Sequence, residues 1–216
     1  MRSFERLAIT AALAVPAILM AMAAAAEASS ADKPALKVGD YWVYQRSQTR
    51  PPVGDAASPT FRREIVEVTP DGNLRTGGRP PNLYDASLNV IPASGPDNMR
   101  KLFRFPLAVG QTWTWSRRVY PTQYPDVEER GDFRVVAYEP ITVPAGALEC
   151  FKIVGDTTTS GRYIGSYEKV QIWYCPSVRH MARQVVEHRD TKVLNAGVGL
   201  YNTTTIELLE TSYITK

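Results

Sequence analysis

The sequence predicts an all-β protein: an antiparallel β-meander that forms an open half-barrel or a barrel-like sandwich and is built from two sequence-related halves. Three observations predict this fold. Segments rich in Val, Ile, Thr, Tyr and Trp alternate in polarity, Pro or Gly separates almost every pair of them, and a nine-residue pattern occurs twice. After the N-terminal stretch, no segment shows a long apolar period of 3.6 residues, so no substantial helix is expected.

Eight segments carry the strand signal. Their alternation is typical of antiparallel strands with one buried face. The segments are Tyr41–Arg46, Phe61–Val68, Thr112–Tyr120, Phe133–Glu139, Leu148–Thr158, Tyr163–Tyr174, Met181–His188 and Thr203–Ile214.

Two long stretches, 49–60 and 76–98, interrupt this rhythm with several prolines and glycines. Loops of this length in compact domains are usually functional or irregular. Two interpretations stay open: a mouth or lid over a binding site, and an excursion without a role.

An internal repeat divides the chain. Leu36–Tyr44 (LKVGDYWVY) matches Leu107–Trp115 (LAVGQTWTW), and both follow L-x-V-G-x-x-W-x-aromatic. The pattern indicates a turn at a glycine, which is free to adopt positive φ, followed by a strand whose two aromatic residues share a face. We therefore expect a single β domain over 29–216, with related halves at about 33–104 and 105–216.

The first 28 residues are typical of a secretory signal peptide. Two arginines precede an uncharged run from Leu7 to Ala26, and small residues of the A-x-A type follow it. An uncleaved membrane anchor is the alternative, since twenty apolar residues are long enough to span a bilayer. No Cys follows either cleavage site, which argues against an N-terminal lipoprotein. The sequence thus predicts a periplasmic or secreted protein with no membrane span after signal cleavage.

Composition and motifs exclude several functions. The formal net charge of +3 is too small to indicate nucleic-acid binding. The chain has no G-x-S-x-G or H-E-x-x-H motif. Its only histidines, His180 and His188, lie too far apart on a strand to share a metal ion, so each is expected at the surface or at a pocket edge. No catalytic residue, cofactor or metal is predicted.

The two cysteines, Cys150 and Cys175, are expected to form a disulfide because the chain is exported to an oxidising compartment. A hairpin register in which opposed residue numbers sum to 325 places these cysteines opposite each other. The same register pairs Ile153 with Ile172 and Asp156 with Lys169, and it avoids the pairing of Lys152 with Lys169 that a tighter turn would impose.

Four residues are candidate contacts for a ligand or partner. In the predicted register, Trp173 shares the more polar strand face with Lys152 and is the tryptophan expected to be exposed. Trp115 belongs to the aromatic residues that are able to stack on sugars or line a groove for acyl chains. Arg117 lies in an arginine pair suited to phosphates or carboxylates.

The second half carries a family resemblance. Val143–Pro144–Ala145–Gly146, followed by a strand with a central Lys and then by Trp173–Tyr174–Cys175–Pro176, resembles a pattern of bacterial exported β proteins of unassigned function. Arg179 stands where that pattern has glycine. Some of these domains are similar in architecture to the open half-barrels of the lipoprotein-localisation group, which hold acyl chains on a concave sheet. The resemblance implies a fold more than an activity.

These observations favour a non-enzymatic binding protein of the cell envelope. Its partner would be a lipid or another amphipathic ligand, or an envelope protein, bound along the concave face of the sheet. Two alternatives stay open: an envelope hydrolase whose carboxylates meet only in the fold, and a structural subunit of an envelope assembly. A deep apolar cavity, clustered carboxylates in a cleft and an exposed edge strand are the features that distinguish the three.

Overall fold

The computed structural model describes residues 30–49, 60–78, 81–119, 126–192 and 201–214. The predicted signal peptide and most of the stretch 49–60 lie outside these residues. The described residues form eleven strands: β1 (Tyr41–Gln48), β2 (Thr60–Val68), β3 (Leu74–Thr76), β4 (Leu83–Tyr84), β5 (Val90–Ile91), β6 (Thr112–Arg118), β7 (Glu128–Val143), β8 (Gly146–Ser160), β9 (Gly165–Cys175), β10 (His180–Lys192) and β11 (Tyr201–Thr211).

All eleven strands form one antiparallel sheet in the order β5-β4-β3-β2-β1-β11-β10-β9-β8-β7-β6. The sheet is open, with β5 and β6 at its two edges, and the described residues contain two 3₁₀ turns but no α-helix. The prediction of an all-β antiparallel meander is therefore confirmed. The stretch 76–98, predicted as a loop, instead contributes the short strands β4 and β5 and one of the 3₁₀ turns.

The two faces of the sheet differ in what covers them. The inner face carries Ile153, Ile172 and Tyr174, which lie side by side on β8 and β9 and are buried. The outer face carries Lys152 and Trp173, the residues between them in the same strands. This alternation is the one that the sequence pattern predicts.

The connection between β5 and β6 crosses the inner face. Residues 92–111, here called the crossover segment, join strands at opposite edges of the sheet, so they must traverse it. The rings of Phe103 and Phe105 meet Tyr174 edge-on, with centroids 5.9 Å and 5.1 Å away. Leu107 pairs with Ala31 through two backbone hydrogen bonds of 2.8 Å. The inner face is thus filled largely by the chain's own crossover segment.

A polar clamp holds the crossover segment to the β4–β5 turn. The side-chain oxygen of Asn89 accepts from the backbone N–H of Phe103 at 2.9 Å, and its amide nitrogen donates to the Phe103 carbonyl at 3.1 Å. Asp85 in turn accepts from the backbone N–H groups of Ser87 and Asn89. This turn holds Leu88 at φ 66, a conformation costly for a bulky residue, with its side chain buried under the crossover segment.

The end of the β7–β8 hairpin covers part of the outer face. Ala145, at the hairpin turn, donates its N–H to the carbonyl of Leu208 on β11 at 3.0 Å. The Thr142 carbonyl accepts from Arg183 on β10 at 2.7 Å. A bulge in β7 between Val135 and Ala137 shifts the register and bends the hairpin locally. Apolar residues are consequently buried on both faces at this end of the sheet.

The two repeats share a turn geometry. Gly39 and Gly110 both have positive φ, 91° and 89°, and each donates its N–H to the neighbouring strand at 2.9 Å. The acceptors are the carbonyls of Ile65 on β2 and Val135 on β7. The glycine is required at both places because a side chain is strained at these angles.

The disulfide between Cys150 and Cys175 is present, and the predicted hairpin register is confirmed. Ile153 lies opposite Ile172, and Asp156 lies opposite Lys169. The 3₁₀ turn that follows Cys175 ends at Arg179, which adopts the left-handed conformation (φ 56) that its position requires. Its guanidinium donates to the Ala35 carbonyl at 2.6 Å and stacks on Tyr213.

Among the described residues, no helix is long and apolar enough to cross a membrane.

Candidate functional site

A cavity of about 260 Å³ lies between the crossover segment and the inner face. Its apolar lining comes from the β4–β5 turn, strand β5, the crossover segment, and strands β9 and β10. The apolar residues are Leu88, Val90, Leu102, Phe103, Ile172 and Met181, and the polar ones are Arg63, Tyr84, Arg100, His180 and Gln184. Such a cavity, apolar with a few convergent polar groups, is the usual form of a small-molecule site.

Arg63 is the cation on the β2 side of this cavity. Its guanidinium lies between two aromatic rings, 5.7 Å from the centroid of Tyr44 and 5.3 Å from that of Tyr84. Tyr44 stacks in turn on Phe61, which carries Arg46 at 5.1 Å. These cation–π contacts hold the Arg63 side chain in place without neutralising its charge.

His180 lies beside Arg63 and is buried, with 3% of its surface exposed. Its Nδ1 accepts the backbone N–H of Met181 at 2.8 Å and contacts the Tyr44 hydroxyl at 2.9 Å. The Tyr44 hydroxyl donates to the Met181 carbonyl at 3.0 Å. Burial, helped by the charge of Arg63, lowers the pKa of His180 well below its ordinary value of 6.5. Of the two predicted positions, the surface and a pocket edge, His180 occupies the second: it is buried, neutral and part of the cavity wall.

The neutral state of His180 makes folding stability sensitive to acid. Below about pH 6.5 the imidazole of His180 is protonated in the unfolded chain but stays neutral in the folded chain. The free energy of unfolding is therefore highest above pH 6.5 and falls as the pH is lowered below that value. We expect a loss of about 1.4 kcal/mol per pH unit below that value. The measurement is the free energy of urea unfolding between pH 8 and pH 5.

His188 changes the free energy of unfolding with the opposite pH dependence, so a variant without His188 is needed as a control. Burial lowers the pKa of His188, but its hydrogen bonds to Asp190 and Glu168 outweigh burial, so the pKa is raised. That contribution is complete below pH 6.5 and is lost as the pH rises through the raised pKa. The His188→Gln variant should keep the acid-side loss, and adding His180→Gln should flatten it. An acid-side slope unchanged by His180→Gln would contradict the assignment.

A second polar cluster lies beside the cavity on the inner face. Glu129 on β7 has only 3% of its side chain exposed and forms ion pairs with Arg100 of the crossover segment and Arg117 of β6. Arg100 also donates to Glu168 on β9 at 2.6 Å. One carboxylate thus joins an edge strand, an inner strand and the crossover segment.

The cluster extends to β10 through Glu168. The His188 Nδ1 lies 3.1 Å from Glu168, and its Nε2 lies 2.9 Å from Asp190. Burial disfavours the ionised form of Glu168, but Arg100 and His188 outweigh it and lower the pKa of this carboxyl. A general acid for glycoside cleavage needs a raised pKa instead. This cluster is suited to holding the crossover segment on the sheet.

Trp115 and Arg117, two of the predicted contact residues, lie in this cluster. Arg117 is engaged by Glu129. Trp115 has 6% of its surface exposed and packs against Gly131, where an added Cβ would overlap the indole ring. Its N–H has no hydrogen-bond partner within the part of the chain that the structure describes.

The other two predicted contact residues, Lys152 and Trp173, lie on the outer face of the sheet. The four predicted contact residues therefore do not form one site, because one pair lies on each face. The expectation that Trp173 is exposed is wrong, since 7% of its surface is accessible. Its indole N–H donates to Glu139 at 2.9 Å, and Lys152 and Arg183 contact its ring from the two flanking strands. The end of the β7–β8 hairpin, which carries Glu139, covers this tryptophan.

No family model and no curated protein matches the sequence. Solved structures resemble the fold. The hypothetical lipoprotein YmcC from Escherichia coli has a TM-score of 0.44 at 9% identity, over 82% of this chain and 90% of that chain. A candidate lipoprotein from Parabacteroides distasonis has a TM-score of 0.39 at 14% identity, over 85% and 100%. A candidate exported protein with a YmcC-like fold from Bacteroides fragilis has a TM-score of 0.39 at 11% identity, over 85% and 100%.

Similarities of this size carry no argument about what the chain binds. The V-P-A-G to W-Y-x-P pattern, on which the predicted resemblance depends, stays a prediction.

Proposed function

We propose that this chain is an exported binding protein that holds the apolar part of an amphipathic ligand in the cavity under the crossover segment. The observation that carries the proposal is the cavity itself, where six apolar side chains meet Arg63 and His180. Export is supported by the predicted signal peptide and by the disulfide, because disulfides persist in oxidising compartments.

The size of the cavity limits the ligand. Pockets that enclose a drug-sized molecule usually measure about 300 to 1,000 Å³, and this cavity measures about 260 Å³. It therefore suits a short acyl group, or one end of a longer chain whose remainder lies outside. The hydrophobic effect supplies roughly 0.8 kcal/mol for each methylene group that is buried.

The test combines native mass spectrometry with a variant that fills the cavity. Protein purified from the periplasm without detergent should carry a co-purified amphipathic mass and should bind added 1-octanol. Leu102→Trp, which places a large ring in the cavity from the crossover segment, should abolish both. Leu148→Trp is the matched control, since Leu148 is also partly buried but lies on β8 away from the cavity.

Two results would contradict the proposal. One is a bare monomer that does not bind 1-octanol in titrations followed by NMR. The other is binding that Leu102→Trp leaves unchanged, because the ligand would then lie elsewhere.

A further inference from the structure

We infer that the ligand of this cavity has an anionic head group, a carboxylate or a phosphate, that binds between the guanidinium of Arg63 and the Nε2–H of His180. This inference rests on the proposed function and names the chemical class of the ligand.

The first step is the tautomer of His180. Because Nδ1 accepts the backbone N–H of Met181, the proton of the neutral ring is on Nε2. The Arg63 Nη1 lies 3.4 Å from this Nε2. A guanidinium only donates hydrogen bonds. Two donors therefore face the same space at the cavity wall, and an oxygen that accepts from both is the group that would satisfy them.

The second step is the charge of Arg63. Within the described residues, no carboxylate forms an ion pair with Arg63, although other arginines of the chain have such partners. Its sequence neighbour Arg62 pairs with Glu64 at 2.8 Å, and Arg100, also in the cavity wall, is engaged by Glu129 and Glu168. A half-buried cation without a counter-ion is costly, and an anionic ligand would offset that cost.

The third step is the rigidity of the donors. The guanidinium of Arg63 is held between the rings of Tyr44 and Tyr84, and both rings are buried. His180 is held through Nδ1 and by the ring of Trp42, whose centroid is 4.7 Å away. Little side-chain entropy is left to lose on binding, so charge-assisted hydrogen bonds at this place should be strong.

The apolar wall lies next to these donors. Leu88, Ile172 and Met181 line the same cavity, so a chain attached to the bound anion can enter it. A cationic head group would meet Arg63 and be repelled. The site therefore favours fatty acids or phosphate-headed amphipaths over alcohols and amines of the same chain length.

The experiment titrates the protein with four probes that share one chain length: octanoate, octyl phosphate, 1-octanol and octylamine. Binding is followed by NMR and calorimetry at pH 7. The two anions should bind at least about tenfold more tightly than 1-octanol, in line with the strength of charge-assisted hydrogen bonds. The tighter of the two anions identifies the head group, and octylamine should bind more weakly than 1-octanol.

Arg63→Met tests the anchor. It should reduce the affinity for the anions to that of 1-octanol and leave the affinity for 1-octanol unchanged. Arg46→Met is the matched control, because Arg46 lies on the same face, stacks on Phe61 and does not line the cavity. This control removes the same charge and should leave all four affinities within about twofold.

The outcomes separate this inference from the proposed function. If 1-octanol binds as tightly as both anions, or if Arg63→Met weakens 1-octanol and the anions equally, the anion site is wrong and cavity binding stands. If none of the four probes binds, both proposals are wrong.

Discussion

Replacing Glu129 with glutamine is expected to lower the free energy of unfolding by about 3 to 5 kcal/mol, the range for removing one partner of a buried ion pair. Glutamine keeps the shape of the side chain but removes the charge. Arg100 and Arg117 would then be left with one carboxylate, that of Glu168, between them. Because the ion pair with Arg100 also ties the crossover segment to the sheet, the cavity beneath it should loosen as well.

The measurement is equilibrium unfolding in urea, with Glu128→Gln as the control. Glu128 is the neighbouring residue on β7 but is exposed, so its replacement should change stability by less than about 0.5 kcal/mol. Combining Glu129→Gln with Arg117→Met should cost less than the sum of the two single changes, because the second change removes one stranded charge. A loss below about 1 kcal/mol for Glu129→Gln would contradict a structural role for the cluster.

The strands and the hairpin register were predictable because they depend on local patterns. Apolar and polar residues alternate along β8 and β9, and only one register pairs the cysteines while it avoids opposed lysines. The glycine turns of the repeat were predictable for a similar reason, since Gly39 and Gly110 occupy positions where other residues are strained.

Local sequence patterns did not predict which segments pack over the two faces of the sheet. The crossover segment and the end of the β7–β8 hairpin reach across the sheet, and their contacts join residues far apart in sequence. Trp173 shows the consequence: its place on the polar face was correctly predicted, but its burial depends on Glu139, in a hairpin that bends back over that face. The short strands β4 and β5 were not predicted, because two residues are too few to show an alternation of apolar and polar side chains.

The candidate site was missed for the same reason. Arg63, Leu88 and His180 come from β2, a turn and β10, and none of them belongs to a motif. The sequence contains one indication that His180 is near the core: it directly precedes the apolar Met181 on a predicted strand close to the disulfide hairpin. Without the fold, that position does not distinguish a buried histidine from an exposed one.

Removing the disulfide with Cys150→Ala and Cys175→Ala together is expected to lower the free energy of unfolding by about 3.5 kcal/mol, the chain-entropy value for a closed loop of this length. Both sulfur atoms are buried, so the alanines would also leave a small void. The loss should be visible as a lower urea midpoint.

The reducing agent provides the control for this prediction. Dithiothreitol should destabilise the wild-type protein by a comparable amount and should leave the double variant unchanged, since the variant has no disulfide to reduce. The oxidised, denatured protein should contain no free thiol, and two titratable thiols would contradict the pairing. The disulfide adjoins the turn that presents His180 and Met181 to the cavity. We therefore expect reduction to weaken octanoate binding as well as stability, because the donor pair at Arg63 and His180 depends on the position of that turn.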